Sequence, residues 1–534
     1  MEKICKQCGG SFEILDFEKK FYEKAMLPLS CLCSDCREQR RLVFRNERCL
    51  YGRTCDLCGK NILSTYAPEV PYTVYCNECW WGDKWDAEKY AQEFDFSRPF
   101  FEQIDELWKK VPQLNLVNSK SQNSDYANFS EQEHNCYLVF ASNRNEDCYY
   151  SEYIWDSKKC MDCLNVKKCQ LLFMCVDCSE SYECFYSQNC HNSHSLRYCY
   201  DCKGCHDLFA CAGLRNKSYS ILNKQYSKEE YFKILENEDE KSRILKEYEL
   251  LKTKVPRLYA NILNCEDVTG DYLNSCSRAH LCFNSFDLQD AFFVENSPGG
   301  TRDVCHISGC THCELSSELV SVAYGHNCHF VLYSHTGISD SKYSVLSTSC
   351  SDLFGCVGLR NKKYCILNKQ YSKEDYEKLV VKIIEHMKKT RLPDGQAGEW
   401  GEFFPISLSP FYYNETVANE YYPLDKSVAE KLGGKWKEKE EREYREATKE
   451  ILKCDDCGKN YKIVKPELDF YKNFKISLPK LCPGCRHVGR LKLRNPKKLW
   501  TRKCDKCGVE IKTSYAPERK EKVYCEECYL KEVY

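Results

Sequence analysis

Small and apolar residues recur at every third position between residues 115 and 225. Thirteen of these positions hold cysteine, and every gap between successive cysteines is a multiple of three. A period of three fits neither an α-helix, which repeats about every 3.6 residues, nor a long strand, which repeats about every two. We therefore predict very short strands joined by corners and stacked into a parallel β-solenoid, with one inward side chain per three residues. The cysteines are Cys136, Cys148, Cys160, Cys163, Cys169, Cys175, Cys178, Cys184, Cys190, Cys199, Cys202, Cys205 and Cys211.

This pattern occurs twice, because the middle of the chain is an internal duplication. Residues 207–226 return almost unchanged at 352–371, an offset of 145 residues. The period of three persists in the second copy and slips by one residue before Cys350. Coils of about 18–21 residues are compatible with the pattern, which does not itself fix the coil length.

A helix is predicted to close each copy and to cover its unpaired strand edges. Ser227 and Ser372 each begin a helix-capping sequence, with an acidic residue three positions later. The first helix should run to about residue 254 and the second to about residue 390.

In the first copy, the residue before a cysteine is often acidic or an amide. These residue types favour turns, so we expect them at exposed corners. The cysteines themselves are interpreted as small buried hydrophobes, since unreactive cysteine is among the most buried residue types. A metal reservoir or a redox relay is the alternative. The expected corner residues are Asn135, Asp147, Asp162, Asp177, Glu183, Asn189 and Asp201.

The segments around the two copies have simpler patterns. Residues 81–114 are predicted to be a helical linker, in which apolar residues from Phe100 to Trp108 share one helical face. The two solenoid domains with their helices take up residues 115–255 and 256–392. Residues 393–453 are predicted to be an aromatic extended segment, a short helix near 426–432 and a charged helix from about 437 to 453.

Two pairs of four-cysteine motifs lie at the ends of the chain, in residues 1–80 and 454–534. The first motif of each pair reads C-x2-C-x24-C-x2-C and the second reads C-x2-C-x17-C-x2-C, and the second pair repeats the first at an offset of 449. Two such knuckles supply the four thiolates of a closed tetrahedral zinc site. Disulfides and iron–sulfur clusters are the alternatives, and four quartets duplicated without gaps argue against both. The predicted zinc ligands are Cys5, Cys8, Cys33, Cys36, Cys55, Cys58, Cys76, Cys79, Cys454, Cys457, Cys482, Cys485, Cys504, Cys507, Cys525 and Cys528.

Composition limits the class of protein. The chain has 534 residues, 41 cysteines and a net charge of −1, and its length predicts three or more domains. No signal-peptide pattern begins it, and no apolar run approaches the ~18 residues that a membrane span needs. We therefore expect a cytoplasmic protein with reduced thiols and no membrane partner.

A basic strip separates the two motifs of each pair. Residues 37–53 hold six arginines and two glutamates, and residues 486–503 hold eight lysines and arginines and no carboxylate. The strips could contact nucleic-acid phosphate, or they could be linkers that neutralise the charge of about −2 on each four-thiolate zinc site. Nearby aromatic residues could stack bases, namely Tyr51, Tyr66, Trp80, Trp81 and Trp85. The predicted nucleic-acid contacts are Arg37, Arg41, Arg45, Arg486, Arg490 and Arg494.

These motifs resemble a known family. Cys5-x2-Cys8-x3-Phe12 followed by Cys33-x2-Cys36-Arg37 resembles the small zinc-binding ribbon found in many bacterial proteins. The continuation through the second motif, and most of the remaining chain, is similar to a group of large, uncharacterised bacterial zinc-ribbon proteins. The resemblance implies zinc and several ribbons, and it brings no established activity.

The sequence therefore predicts a mainly β protein, with paired zinc ribbons at both termini flanking two duplicated parallel β-solenoid-like domains, each closed by a helix. We expect it to bind nucleic acid, RNA or single-stranded DNA, or a ribonucleoprotein through the basic strips. A protein-interaction scaffold with purely structural zinc is the first alternative. A carbohydrate-active enzyme on a solenoid face is the second, and an enzyme is the less favoured class because no nucleophile elbow or open three-ligand zinc motif is present.

Overall fold

The chain folds as a mixed α/β protein. In the computed structural model, helices account for 25% of the residues and strands for 30%, and many of the sheets are parallel. The expectation of a mainly β protein is therefore wrong, because a helix follows the second knuckle of every four-cysteine motif and helices close both central repeats. The structure describes residues 1–297, 299–309, 313, 316–318, 320–326, 330–390, 398–438 and 451–533.

Helices lie mainly at the termini and at the ends of the central repeats. The α-helices are Asp16–Lys24, Ser34–Leu42, Asn77–Trp81, Phe100–Lys110, Lys228–Leu235, Glu238–Lys254, Lys373–Lys389, Val417–Tyr421, Lys426–Lys431, Lys465–Asn473, Pro483–Leu491 and Glu526–Val533. Short 3-10 helices are Ala87–Tyr90, Ile406–Leu408 and Tyr413–Glu415.

The predicted helices are mostly found. The linker helix, the helix after the second repeat and the short helix near residue 426 are confirmed. The helix expected after the first repeat is two helices, which meet at residues 236–237. The segment expected to be extended between residues 399 and 424 contains three short helices. Most of the predicted charged helix at 437–453 lies outside the described residues, and its last three residues form the strand Ile451–Lys453.

Strands of the terminal regions form four small antiparallel hairpins that carry the first knuckle of each motif. They are Glu2–Ile4, Ser11–Glu13, Tyr51–Thr54, Asn61–Ser64, Ile451–Lys453, Asn460–Lys462, Trp500–Lys503 and Glu510–Thr513. Two further strands, Val74–Tyr75 and Val523–Tyr524, pair in parallel with Gln113–Leu114 and Arg257–Leu258. Strands of the central repeats are Gln113–Leu114, Asn118–Ser119, Ser130–Glu131, Glu152–Trp155, Leu164–Lys167, Gln170–Phe173, Val176–Ser179, Tyr182–Phe185, His194–Arg197, His206–Phe209, Ser218–Ile221, Lys224–Gln225, Arg257–Leu258, Ile262–Leu263, Glu266–Asn274, Ser277–Phe286, Leu288–Glu295, Thr301–Ser308, Ser316–Ser317, Val320–His326, Leu332–Ser339, Cys350–Phe354, Lys363–Ile366 and Lys369–Gln370.

In the first body, residues 115–225, the chain pairs with itself in parallel, and residue i lies beside residue i+12. Leu196, for example, pairs with Cys184 on one side and with Leu208 on the other. This register of 12 residues is shorter than the expected repeat of about 18–21 residues. Left-handed backbone recurs at every third residue along this body, for example at Asp147, Tyr150, Tyr153 and Asp156.

The turns are made by residues with left-handed backbone. Asp147, Asp162 and Asp177 have φ angles of 53°, 54° and 54°, a region in which Asp and Asn are enriched. The predicted corners are thus confirmed, but their exposure is not. The side chains of Asp162 and Asp177 are 0% and 2% exposed, because the C-terminal motifs pack against this side of the body.

The cysteines of the first body point inward, as predicted. Each of the thirteen is at most 3% exposed, and their thiols donate to backbone carbonyls. The Cys148 thiol lies 3.4 Å from the Glu146 carbonyl and 3.6 Å from the Ser157 carbonyl, and burial raises the pKa of this thiol. These residues therefore act as small hydrophobes whose S–H groups are satisfied.

The second body, residues 260–370, has longer strands in the same parallel order. Ala279 pairs with Ala291, which is residue i+12, whereas Ala291 pairs with Val304, which is residue i+13. A second i to i+13 pairing joins Leu332 to Val345. This extra residue accounts for the slip in phase that the sequence shows before Cys350.

Candidate metal centres

Four cysteine quartets come together at the positions predicted from their spacing. We call them ribbons 1 to 4 in chain order, beginning at Cys5, Cys55, Cys454 and Cys504. In each ribbon, one sulfur from every cysteine lies within 4.8 Å of the other three. Each first knuckle follows a hairpin strand, and each second knuckle starts a helix.

The sulfur positions fit a tetrahedral ion. The Sγ–Sγ distance between the two knuckles is 3.8 Å for Cys8 and Cys33 in ribbon 1 and 3.9 Å for Cys58 and Cys76 in ribbon 2. It is 3.7 Å in ribbons 3 and 4. Four sulfurs at the ~2.3 Å bond length of zinc thiolates are about 3.8 Å apart. Each quartet can therefore hold one metal ion without rearrangement.

Backbone N–H groups stabilise a thiolate in each ribbon. The Cys76 N–H donates to the Cys55 sulfur at 3.2 Å. Burial acts to raise the pKa of Cys55, but the N–H groups of Cys76 and Cys58 lower it to about 6. Ribbons 3 and 4 repeat this arrangement, and the pKa values of Cys454 and Cys504 fall to about 6. A thiol that deprotonates easily is a ready metal ligand.

The N-terminal basic strip begins in the helix Ser34–Leu42, which packs on the second body, and continues beyond its end. Arg37 is 2% exposed, and its Nε lies 2.7 Å from a Glu318 oxygen. Its Nη1 lies 2.7 Å from Nε2 of His306. Arg41 is also 2% exposed, and Arg45 is 7% exposed with its guanidinium over the Phe129 ring of the first body.

The C-terminal basic strip begins in the helix Pro483–Leu491, which packs on the first body, and continues beyond its end. Asp162 accepts hydrogen bonds from Arg486 Nε at 3.1 Å and from Arg490 Nη1 at 2.7 Å. Arg494 pairs with Asp177 at 3.0 Å. The Arg494 guanidinium lies over the ring of Tyr272, a residue of the second body.

The two basic helices therefore join ribbons to bodies. All six arginines predicted to contact phosphate are at most 9% exposed. Phosphate contact by these side chains stays a prediction, and their burial argues against it. Several of them pair with carboxylates of the bodies and not with zinc thiolates. The alternative interpretation, in which the strips neutralise the zinc sites, therefore also named the wrong partner. Asp162 and Asp177 lie at the predicted corners, but their pairing with arginine was not predicted from the sequence, and neither was the role of Glu318.

The aromatic residues beside ribbon 2 are largely buried as well. Trp80, Tyr66 and Trp85 are 1%, 4% and 6% exposed, whereas Trp81 is 41% exposed. The Tyr51 hydroxyl bonds to Glu415. Only Trp81 of these five predicted stacking residues presents a large exposed side chain.

A fifth cluster joins the first body, the helix Val417–Tyr421 and ribbon 3. His487 Nδ1 lies 3.5 Å from Glu152 and its Nε2 lies 3.4 Å from Glu420. These three residues could offer ligand atoms to one ion. Arg48 already pairs with Glu152 at 2.8 Å, so we interpret the cluster as a buried charge network between elements.

Other features of the described chain bear on its class. Cys313 is disulfide-bonded, whereas the remaining described cysteines are free thiols. Among the helices that the structure describes, none is both long and apolar enough to cross a membrane. The four quartets are of zinc-ribbon type. Against known proteins, no family model, no curated protein and no solved structure matches this chain.

Proposed function

We propose that this chain is a scaffold held together by structural zinc, which binds a protein partner. The observation that carries the proposal is the inward direction of the basic helices. Their arginines pair with Glu318, Asp162 and Asp177 inside the molecule, so they fix ribbons to bodies and leave little charge for a polyanion.

Zinc is the ion that fits the four quartets best. Four thiolates at tetrahedral spacing with no open position are typical of structural zinc sites. Each ribbon has only a small core of its own; that of ribbon 1, for instance, consists of Cys5, Leu32 and Cys36 with two partly buried neighbours. Domains of this size depend on their ion for folding. The metal thus holds the basic helix in position for its contacts with the body.

We infer that both bodies are β-solenoids in which each coil brings residue i beside residue i+11, i+12 or i+13. The support is the parallel pairing at these spacings and the inward row of cysteine and aliphatic side chains. A solenoid presents repeated rows of side chains on its outer faces, and such extended surfaces commonly bind partners.

One face of the first body is available for a partner. Tyr182 is 46% exposed, and the rings of His194 and His206 stack in the next two coils, 5.0 Å apart with an interplanar angle of 8°. This face is distinct from the side that Arg490 and Arg494 cover. Side chains repeated at the strand spacing of about 4.8 Å suit an extended segment of another protein.

Affinity capture with and without nuclease tests this proposal. We expect protein partners to be retained after nuclease treatment. A matched variant, Tyr182→Ala with His194→Ala, should lose them, whereas Lys120→Ala at the far end of the body should not. Complete loss of all partners on nuclease treatment would instead favour nucleic-acid binding and contradict the scaffold.

A further inference from the structure

A cleft of about 580 Å³ lies where the C-terminal ribbon pair meets the first body and the helix Glu238–Lys254. Its size falls within the usual range of about 300–1,000 Å³ for small-molecule sites. Its lining is rich in cationic side chains, including Lys252, Arg257, Lys492, Arg519 and Lys520. Three glutamates also line it, which gives five cations against three carboxylates.

Arg257 is the most deeply buried of the five cations that line this cleft. It is 9% exposed, and its guanidinium lies 3.8 Å from the centre of the Tyr200 ring. Its Nη2 donates to the Lys252 carbonyl at 2.9 Å, whereas its buried Nη1 has no hydrogen-bond partner among the residues that the structure describes. A buried charged donor without a partner is costly, so this N–H group is suited to an acceptor supplied by a ligand.

The internal duplication shows that this arrangement is specific to one half of the molecule. Arg257 pairs with Val523 of ribbon 4, as Gln113 pairs with Val74 of ribbon 2. Val523 and Val74 are equivalent, because the two ribbon pairs are offset by 449 residues. Gln113 is therefore the counterpart of Arg257.

Gln113 has no need of a ligand. It is 0% exposed, and its Nε2 donates to the carbonyls of Trp108 and Val111 at 3.2 and 2.7 Å. Its Oε1 accepts a hydrogen bond from Trp108 Nε1 at 3.0 Å. The amide is thus satisfied within the protein.

The residues five positions before Gln113 and Arg257 also differ between the two halves. Trp108 is 0% exposed and fills the core of the first half. Its counterpart Lys252 is about one-third exposed, with its Nζ 2.9 Å from Glu249. The Trp108 carbonyl accepts a hydrogen bond from Gln113, and the Lys252 carbonyl accepts one from Arg257. This region is thus closed and apolar in the N-terminal half, whereas the equivalent region of the C-terminal half is an open cationic cleft.

We propose that this cleft binds the phosphate group of a small phosphorylated molecule. Lys252 pairs with Glu249, and Arg519 pairs with Glu521, so these cations are partly neutralised. Arg257 Nη1 and the exposed Lys492 and Lys520 are the groups that would contact the anion, since guanidinium and ammonium groups are the usual phosphate donors. This inference does not depend on the scaffold proposal.

Isothermal titration with two probes, inorganic phosphate and adenosine monophosphate, tests the inference in a buffer free of phosphate and sulfate. We expect wild type to bind, and Arg257→Gln, which installs the residue of the other half, to bind at least about tenfold more weakly. Arg243→Gln is the control, because Arg243 is an exposed arginine on the helix Glu238–Lys254, which lines the cleft, and is paired with Glu240. It should leave the affinity unchanged.

The two probes distinguish the sources of phosphate. Equal affinity for both would assign the site to the anion alone, whereas tighter binding of the nucleotide would show that its organic part also occupies the cleft. No binding by wild type at millimolar ligand, or equal binding by Arg257→Gln, would overturn the proposal. If Arg257→Gln fails to fold, Lys492→Gln with Lys520→Gln decides, and unchanged affinity in that variant would also overturn it.

Discussion

Removing one carboxylate should loosen the contact between ribbon 3 and the first body. Asp162 is 0% exposed and accepts bonds from both Arg486 and Arg490. In an Asp162→Asn variant, Arg486 keeps Glu467 at 3.1 Å, but Arg490 loses its carboxylate and keeps the Tyr150 carbonyl at 3.0 Å and the Met174 sulfur at 3.9 Å. Breaking a buried pair from one side costs about 3–5 kcal/mol, and we expect about 3 because one arginine remains paired.

Asp156→Asn is the matched control for this change. Asp156 and Asp162 have φ angles of 52° and 54°, and Asn tolerates this backbone as Asp does, so the conformational term cancels. The Asp156–Arg144 pair is partly exposed, with side chains 31% and 50% accessible. Such pairs contribute about 0–1 kcal/mol.

Hydrogen exchange is the suitable assay, because a chain with several domains need not unfold in two states. Asp162→Asn should speed local exchange of the helix Pro483–Leu491 by about a hundredfold, which corresponds to about 3 kcal/mol. Asp156→Asn should leave that helix unchanged. Equal exchange in the two variants would refute the role that we assign to the buried arginines.

Three further predictions concern metal, thiols and pH. Elemental analysis should give about four zinc ions per chain, and Cys55→Ser should give about three; an unchanged content would contradict metal binding by ribbon 2. The thirteen cysteines of the first body should resist a water-soluble alkylating reagent until denaturant is added, since none is more than 3% exposed, and rapid native labelling would disprove their burial. Burial raises the pKa of Glu133 from 4.5 to about 7, so the stability that its protonated form contributes is lost as the pH rises towards 7. Thermal melts should therefore show Glu133→Gln gaining about 1–2 kcal/mol over wild type between about pH 5.5 and pH 8, whereas the exposed control Glu146→Gln should show no such gain.

The metal quartets could be predicted because their geometry is local. A C-x2-C knuckle places two sulfurs on one ion whatever the rest of the chain does, and all sixteen cysteines meet in the expected quartets. The period of three likewise identified the inward residues of the first body. It could not give the register of 12 residues between paired strands, because that register depends on left-handed backbone at residues such as Tyr150, with φ of 53°, which the residue type does not reveal.

The role of the basic strips could not be predicted because it depends on distant contacts. Sequence shows the charge of Arg486 but not that Asp162, separated from it by 324 residues, lies beside it. Nor does a corner position reveal whether that corner is covered. The sequence likewise does not show that Arg257 is the counterpart of Gln113, or that its Nη1 lacks a hydrogen-bond partner among the described residues.

The two basic helices face inward, and an arginine-modifying reagent can test this orientation. The zinc-loaded protein would be treated with phenylglyoxal and mapped by mass spectrometry. We expect Arg37, Arg41, Arg486 and Arg490 to be protected, while Arg144 and Arg278, which are 50% and 51% exposed, should be modified. Removing zinc with a chelator should abolish the protection, because the ribbons lose the ion that holds them together. If the four buried arginines of the zinc-loaded protein were modified as fast as Arg144, the basic helices could not face inward.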